Sequence, residues 1–306
     1  MRSRRVSVAA AVTAAGVLAV FGTPAGAHPV AAAKPTGIYA GMGNCPLSSP
    51  VLADPGNQQV GCVTSVTRGG SVTIGSTTVP LTQPITLQFG VYWPASGPTV
   101  EFPDGTVANV FSTVPSADGK TLTSSPLQVP IPGLANFLPG VTSVFAQVEL
   151  AGPITEFVPL ATGEPAPVFR LPVKLHLFNA LFGLHCYIGS NSSPIVIGPT
   201  TGTTSPPPPN VPITGDPGVI DLASDPNGFG AFVVSFSGAS LVDNSVSVPV
   251  AGGCGIGGSL DWVINTVFGL PAAAGHNAVV FSQTTTSLAV DSSLDDLKKA
   301  IAASAH

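Results

Sequence analysis

From Phe169 to Leu177 every second side chain is large and apolar: Phe169, Leu171, Val173, Leu175 and Leu177. Arg170, Pro172, Lys174 and His176 fill the positions between them. A period of two is that of a strand whose side chains point alternately to opposite faces, so this stretch predicts one buried face and one wet face. Asn179 to Gly183 then turns the chain, and Cys186–Ser190 and Pro194–Gly198 form a second apolar segment in two parts. Beyond it lie Pro206, Pro207, Pro208 and Pro209, followed by Asn210–Gly215. Consecutive prolines donate no ladder hydrogen bonds and favour extended polyproline backbone. Residues 199–217 are therefore expected to be a proline-rich excursion, a loop, spacer or edge outside the core.

The same short-range pattern recurs along the chain. Ser71–Ile74 and Thr77–Val79 flank Gly75-Ser76, a two-residue hairpin with glycine first, in a register that sets Val72 against Val79 and Thr73 against Thr78. Ile85, Leu87, Phe89, Val91 and Trp93 alternate up to Pro94, and Val144, Ala146, Val148 and Leu150 alternate again. Pro103-Asp104-Gly105 and Asp118-Gly119 carry hairpin turn chemistry between short strand-like pieces. Thr155–Pro159, Phe229–Phe236, Ser245–Val250, Ala278–Phe281 and Ser287–Val290 complete the expected strands. Short strands separated by turn signals predict a mainly β chain, an antiparallel β-sandwich or barrel-like sheets. Two short helices are expected near the C-terminus. One is capped by Ser259 and turns Leu260, Val263, Ile264, Val267 and Phe268 to one face; the other begins near Ser293 with Leu294, Leu297 and Ile301 inward.

Residues 1–27 carry an export pattern: Arg2, Arg4 and Arg5, then an apolar run from Val6 to Phe21, then the small-residue site Ala25-Gly26-Ala27. The run is short for a membrane span, which needs about 20 residues. The reading is a signal peptide over 1–27 and an all-β mature domain over 28–306, without a transmembrane segment after cleavage. No cysteine stands at the cleavage point, so a lipid anchor is not expected.

Charged residues make up 8% of the chain, against about 25% in ordinary soluble domains. Ten basic side chains face fifteen acidic ones, and cleavage removes three of the ten, leaving no basic cluster. Nucleic-acid binding needs Lys and Arg to neutralise phosphates, so no nucleic-acid partner is expected. Four cysteines in an exported chain imply two disulfides with three possible pairings; Cys45 with Cys62 and Cys186 with Cys254 is preferred, because chain neighbours meet most easily. The second pairing would enclose the proline-rich crossing and make it an excursion within one domain.

Motifs that could carry chemistry are sparse. Gly253, Gly255 and Gly258 form a GxGxxG pattern ahead of a helix, an arrangement that offers backbone amides to phosphate. No βαβ unit surrounds it, and Cys254 inside it is expected in a disulfide, so the run reads as a tight turn around a cystine. Gly119-Lys120-Thr121 imitates the end of a phosphate loop but has Val114 where a glycine is required. Neither a GxSxG elbow nor an HExxH helix occurs. His176 and His185 flank a turn and could share a metal, though a strand histidine and a loop histidine are the expected reading. Asp295 and Asp296 suit a helix end, and Leu270–Gly275 has only a faint likeness to a sortase signal. No catalytic, metal-binding or cofactor-binding residue is assigned, and no cofactor is expected.

Cys45-Pro46-Leu47-Ser48-Ser49-Pro50, Gly61–Ser65, the hairpin at 71–81, Cys186–Ser190 and Thr200–Pro207 together resemble a group of exported actinomycete bacterial proteins of unassigned function. The resemblance spans most of the mature chain and implies a compartment without a reaction. The expectation is a secreted or cell-surface protein with a binding or structural role toward an envelope or extracellular ligand. The alternative is a secreted enzyme. If cleavage exposes His28, its amino group and ring nitrogen could hold copper, and at that residue the chain resembles lytic polysaccharide monooxygenases, which oxidise polysaccharide.

Overall fold

Hydroxyl- and glycine-rich runs that interrupt the apolar pattern do not end strands in the folded chain. A computed structural model describes residues 33–130 and 143–305. Ser71–Ile74, expected as one arm of a short hairpin, is the end of a much longer strand, β1 (Asn57–Ile74). It is followed by β2 (Thr77–Pro80), β3 (Ile85–Pro94), β4 (Thr99–Glu101), β5 (Val107–Asn109), β6 (Ser112–Pro115), β7 (Leu122–Thr123) and β8 (Leu127–Val129). Next come β9 (Val144–Leu150), β10 (Leu171–Phe178), β11 (Tyr187–Ile188), β12 (Ile195–Ile197), β13 (Val219–Ser224) and β14 (Phe232–Asp243). The chain closes with β15 (Ala251–Gly252), α1 (Asp261–Phe268), β16 (Ala278–Asp291) and α2 (Leu294–Ala303).

The long strands are continuous because their polar residues find each other. On the β1–β16 ladder Ser65 stands opposite Thr286 and Thr67 opposite Thr284. Their hydroxyls bond across at 2.7 and 2.9 Å. A satisfied hydroxyl pair can be buried where a lone one could not. The alternation expected in β10 is present, with Leu171, Val173, Leu175 and Leu177 buried and the intervening residues half-buried. In β1 and β2, Val72 pairs with Val79 and Thr73 with Thr78.

Among the described residues all strand pairings are antiparallel, and they build two packed sheets and a separate two-stranded hairpin. The larger has the order β13-β14-β16-β1-β3-β6, with β2 along the far end of β1 and β7 along β3. The smaller runs β15-β11-β10-β9-β8, with β12 beside β10, and β4-β5 form a separate hairpin. Val63, Phe89, Val91 and Phe281 from the larger sheet share one apolar core with Leu171, Val173, Leu175 and Leu177 from the smaller. The architecture is therefore an antiparallel β-sandwich.

A third layer covers part of the larger sheet's other face. There Val60, Cys62 and Ala289 pack with Tyr39, Met42 and Cys45 of the N-terminal segment and with Leu297, Ala300 and Ile301 of α2. This explains why β3 is buried on both faces. A side chain at Gly90 would sit 2.6 Å from Pro46, and Gln88 donates to the Gly41 carbonyl at 2.5 Å. The Cys45–Cys62 disulfide, 17 residues apart in sequence, fastens this layer to β1. Closing such a loop restricts the unfolded chain by roughly 3 kcal/mol.

Several local expectations need correction. Ser245–Val250 is no strand: Val248 makes a single bridge to Ala272. Thr155 and Phe157 likewise make only isolated bridges, to Arg170 and Phe111. The turn at Asp118-Gly119 does not close a hairpin, because β6 and β7 both pair with β3. Helix α1 is entered through Leu260 rather than Ser259, which follows a short 3-10 turn. Its first turn is occupied by Asp261, whose Oδ1 accepts from the Cys254 amide at 2.7 Å. In α2 the Ser293 hydroxyl accepts from the Asp296 amide, the expected cap.

The proline-rich crossing lies along the body of the sandwich. Thr200 bridges to Val242 and Thr203 to Thr214. The Asn210 amide donates to the carbonyls of Asn244 and Asn277 at 2.7 and 2.8 Å. Thr200, Thr201 and Thr204 are buried, while Pro207, Pro208 and Pro209 stay exposed on the outer side.

Candidate functional site

On the smaller sheet, the face turned away from the core gathers ionisable and aromatic side chains that the sequence spreads over three strands. Lys174 and His176 lie on β10, Glu149 on β9 opposite Lys174, and Tyr187 on β11 opposite His176. Glu149 reaches both neighbours: one oxygen is 3.0 Å from His176 Nδ1 and the other 3.8 Å from Lys174 Nζ. The His176 ring stacks on Tyr187 with centroids 4.4 Å apart and meets Phe178 at 4.0 Å. Lys174 Nζ sits 4.8 Å from the Tyr187 ring centroid, a cation–π arrangement. Burial, with the Glu149 charge second, pushes the Tyr187 phenol above its ordinary range. The phenol therefore stays protonated at neutral pH and serves as a hydrogen-bonding group with an apolar face.

Tyr187 and Lys174 form one side of a groove of about 620 Å³, within the range of small-molecule sites, about 300–1,000 Å³. One wall is the loop from Gly189 to Ser193 and the other the stretch from Pro249 to Gly253, with His185 at the rim. Each wall is held by specific bonds. Ser190 Oγ is engaged by Ser192 Oγ at 3.1 Å and the Ser193 amide at 3.0 Å, so it is spent on the loop rather than on a histidine. The Asn265 side chain of α1 binds the Ala251 amide at 2.7 Å. Gly189 donates to the Val250 carbonyl at 3.3 Å, joining the two walls.

Beneath the groove, the fully buried Cys186–Cys254 disulfide joins the residue before Tyr187 to the residue after Gly253. The glycine run is a tight turn beside this cystine: Gly253, Gly255, Gly257 and Gly258 all have positive φ. A side chain at Gly253 would stand 2.2 Å from the His185 carbonyl, so only glycine lets the two segments meet. The Cys254 amide is already bonded to Asp261, which places a carboxylate where a phosphate would have to sit.

Among the sequence candidates, His176 belongs to this cluster and His185 to the groove rim. No group of three or more metal-ligating side chains occurs among the described residues. Asp295 and Asp296 make ion pairs with Lys298 and Lys299 on α2. His28 and the segment 1–27 lie outside the described residues. Sequence reasoning missed Glu149, Tyr187 and the Ser190–Ser193 loop. The polar positions of β10 gave the only signal for them, since Lys174 and His176 fall on its wet face. No described helix is long and apolar enough to cross a membrane.

The fold and site define an antiparallel β-sandwich with a cystine-backed surface groove. Comparison with protein-family models, curated proteins and solved structures finds no match.

Proposed function

We propose that the chain is exported, works at the cell envelope or outside the cell, and acts by binding through the Tyr187 groove rather than by catalysis. The observation that carries this reading is the groove's construction: an aromatic ring beside a lysine, a loop of hydroxyl and amide side chains at Ser190–Ser193, and a disulfide tying the Tyr187 strand to the Pro249–Gly253 wall. A phenol and a lysine flanked by hydroxyl and amide groups suit a polyhydroxyl ligand, with Tyr187 Oη, Lys174 Nζ and the loop side chains taking its hydroxyls. Walls fixed in advance lower the ordering cost of binding. The resemblance to exported actinomycete proteins and the two disulfides support the compartment.

Titration of the purified chain with neutral and uronic oligosaccharides of two to four rings, followed by ligand-observed NMR, tests the reading. Saturable binding that weakens at least tenfold in Tyr187→Ala is the expected result; no binding across the panel, or binding indifferent to Tyr187→Ala, refutes it. The export part is tested separately by sequencing the N-terminus of secreted material, which should begin at His28. Uncleaved chain recovered with membranes would contradict it.

A further inference from the structure

Sheet edges expose unpaired backbone amides and carbonyls, and proteins ordinarily blunt them with short strands, proline, lysine or bulges. Most end strands here follow that rule. β6 has four residues and stops at Pro115; β8 has three and is followed by Pro130. β15 has two residues and is held by Asn265 of α1, and β12 has three residues between Pro194 and Pro199.

β13, the other end of the larger sheet, breaks the rule. Its six residues pair with β14 from Val219↔Ser237 to Ser224↔Phe232 without a register shift. It contains no proline, lysine or arginine, and its one charge is Asp221. Val219, Ile220 and Leu222 are 70%, 51% and 68% exposed, and Phe232 of β14 adds a partly exposed ring opposite Ser224. The Asp221 carboxylate takes up the Leu222 amide locally at 3.0 Å, but the rest of this regular, apolar edge is a template for another strand.

We propose that β13 pairs antiparallel with β13 of a second copy of this chain, joining two larger sheets across a two-fold axis. The edge is self-complementary when the axis passes through Ile220 or Leu222. Those registers set Asp221 opposite Val219 or Ala223 of the other copy, whereas an axis at Asp221 would oppose two carboxylates. With seven basic and fifteen acidic side chains left after loss of residues 1–27, each copy carries a formal charge of −8, and salt at physiological strength screens the repulsion beyond about 8 Å. The four exposed apolar side chains offer roughly 400 Å² per copy, or roughly 800 Å² for the pair, below the ~1,200–2,000 Å² of stable complexes. The dimer is accordingly weak, with a dissociation constant of roughly 10 µM to 1 mM.

Sedimentation velocity of the disulfide-intact chain from low micromolar to millimolar concentration reads this directly. The expected result is a concentration-dependent dimer that Leu222→Lys weakens at least tenfold and that Val107→Lys, at an exposed position on β5, leaves unchanged. Ile220→Cys and Leu222→Cys, oxidised separately, distinguish strand pairing from packing of faces: the position on the axis forms a covalent dimer, and Val107→Cys does not. A monomer at every concentration, a dimer indifferent to Leu222→Lys, or no preferential cross-linking at either β13 position overturns the proposal. Far-UV circular dichroism confirms that each variant is folded.

Discussion

Replacing Thr67 and Thr284 by valine, singly and together, probes what allows β1 and β16 to run unbroken through the interior. The two hydroxyls lie directly opposite each other, 2.9 Å apart, and the residues are 8% and 1% exposed. Valine keeps the shape of threonine and exchanges the hydroxyl for a methyl group. Each single change leaves the other hydroxyl buried without its partner, at a cost of about 1–3 kcal/mol. The double change removes both polar groups and leaves two methyls in contact, which is near neutral. The cycle should therefore show a coupling of about 2–6 kcal/mol, the sum of the two single costs, far outside the ~0.5 kcal/mol scatter of independent sites. Urea unfolding of the four proteins at neutral pH measures it, provided the denaturant slopes agree. Additive costs, or a double variant weaker than either single one, would refute the argument that paired hydroxyls make this part of the sandwich buriable.

The cystines give a ranking: for loops of 17 and 68 residues, the chain-entropy model assigns about 3 and about 4.4 kcal/mol. Cys186→Ser with Cys254→Ser should thus lower the unfolding free energy more than Cys45→Ser with Cys62→Ser, by urea denaturation, and the reverse order would contradict it. Asp243 gives a pH dependence. Burial raises its carboxyl, and the hydrogen bonds from the Ser245 and Gly198 amides only partly offset this. Its contribution is complete below the unfolded pKa of 3.8 and is lost as pH rises through the higher folded value. The stability advantage of wild type over Asp243→Asn should therefore shrink from pH 3 upward, and a growing advantage would show the sign to be wrong.

The sandwich was legible where one face is buried and the other wet. β10 reads directly because its alternation coincides with its exposure, and the β1–β2 hairpin reads because Gly75-Ser76 fixes the register. The strands that read as fragments failed for a stated reason. Thr67–Ser71 and Ser282–Thr286 lack apolar groups, and their compatibility with the interior depends on each other across more than two hundred residues. The third layer was hidden for a related reason, since nothing local to Gln88 or Gly90 announces that Gly41 and Pro46 will cover them. The site was legible in part: Lys174 and His176 stood on the wet face, but Glu149 and Tyr187 join them only through the pairings of β9 and β11 with β10.

That dependence on pairing also explains why the groove sits beside the Cys186–Cys254 disulfide. β11 and β15 are only two residues long and pair with each other at Tyr187↔Gly252 and Ile188↔Ala251, too few ladder bonds to hold a strand pair on their own. The cystine adjoins both strands, Asn265 ties β15 to α1, and Gly253 allows the two backbones to approach. These are the supports that a two-residue ladder lacks. They are also what fixes the distance between the Ser190–Ser193 loop and Val250. The wall spacing of the groove is thus set by covalent and helix-borne contacts beneath the sheet surface, which leaves the side chains facing the groove free to be chosen for what they bind.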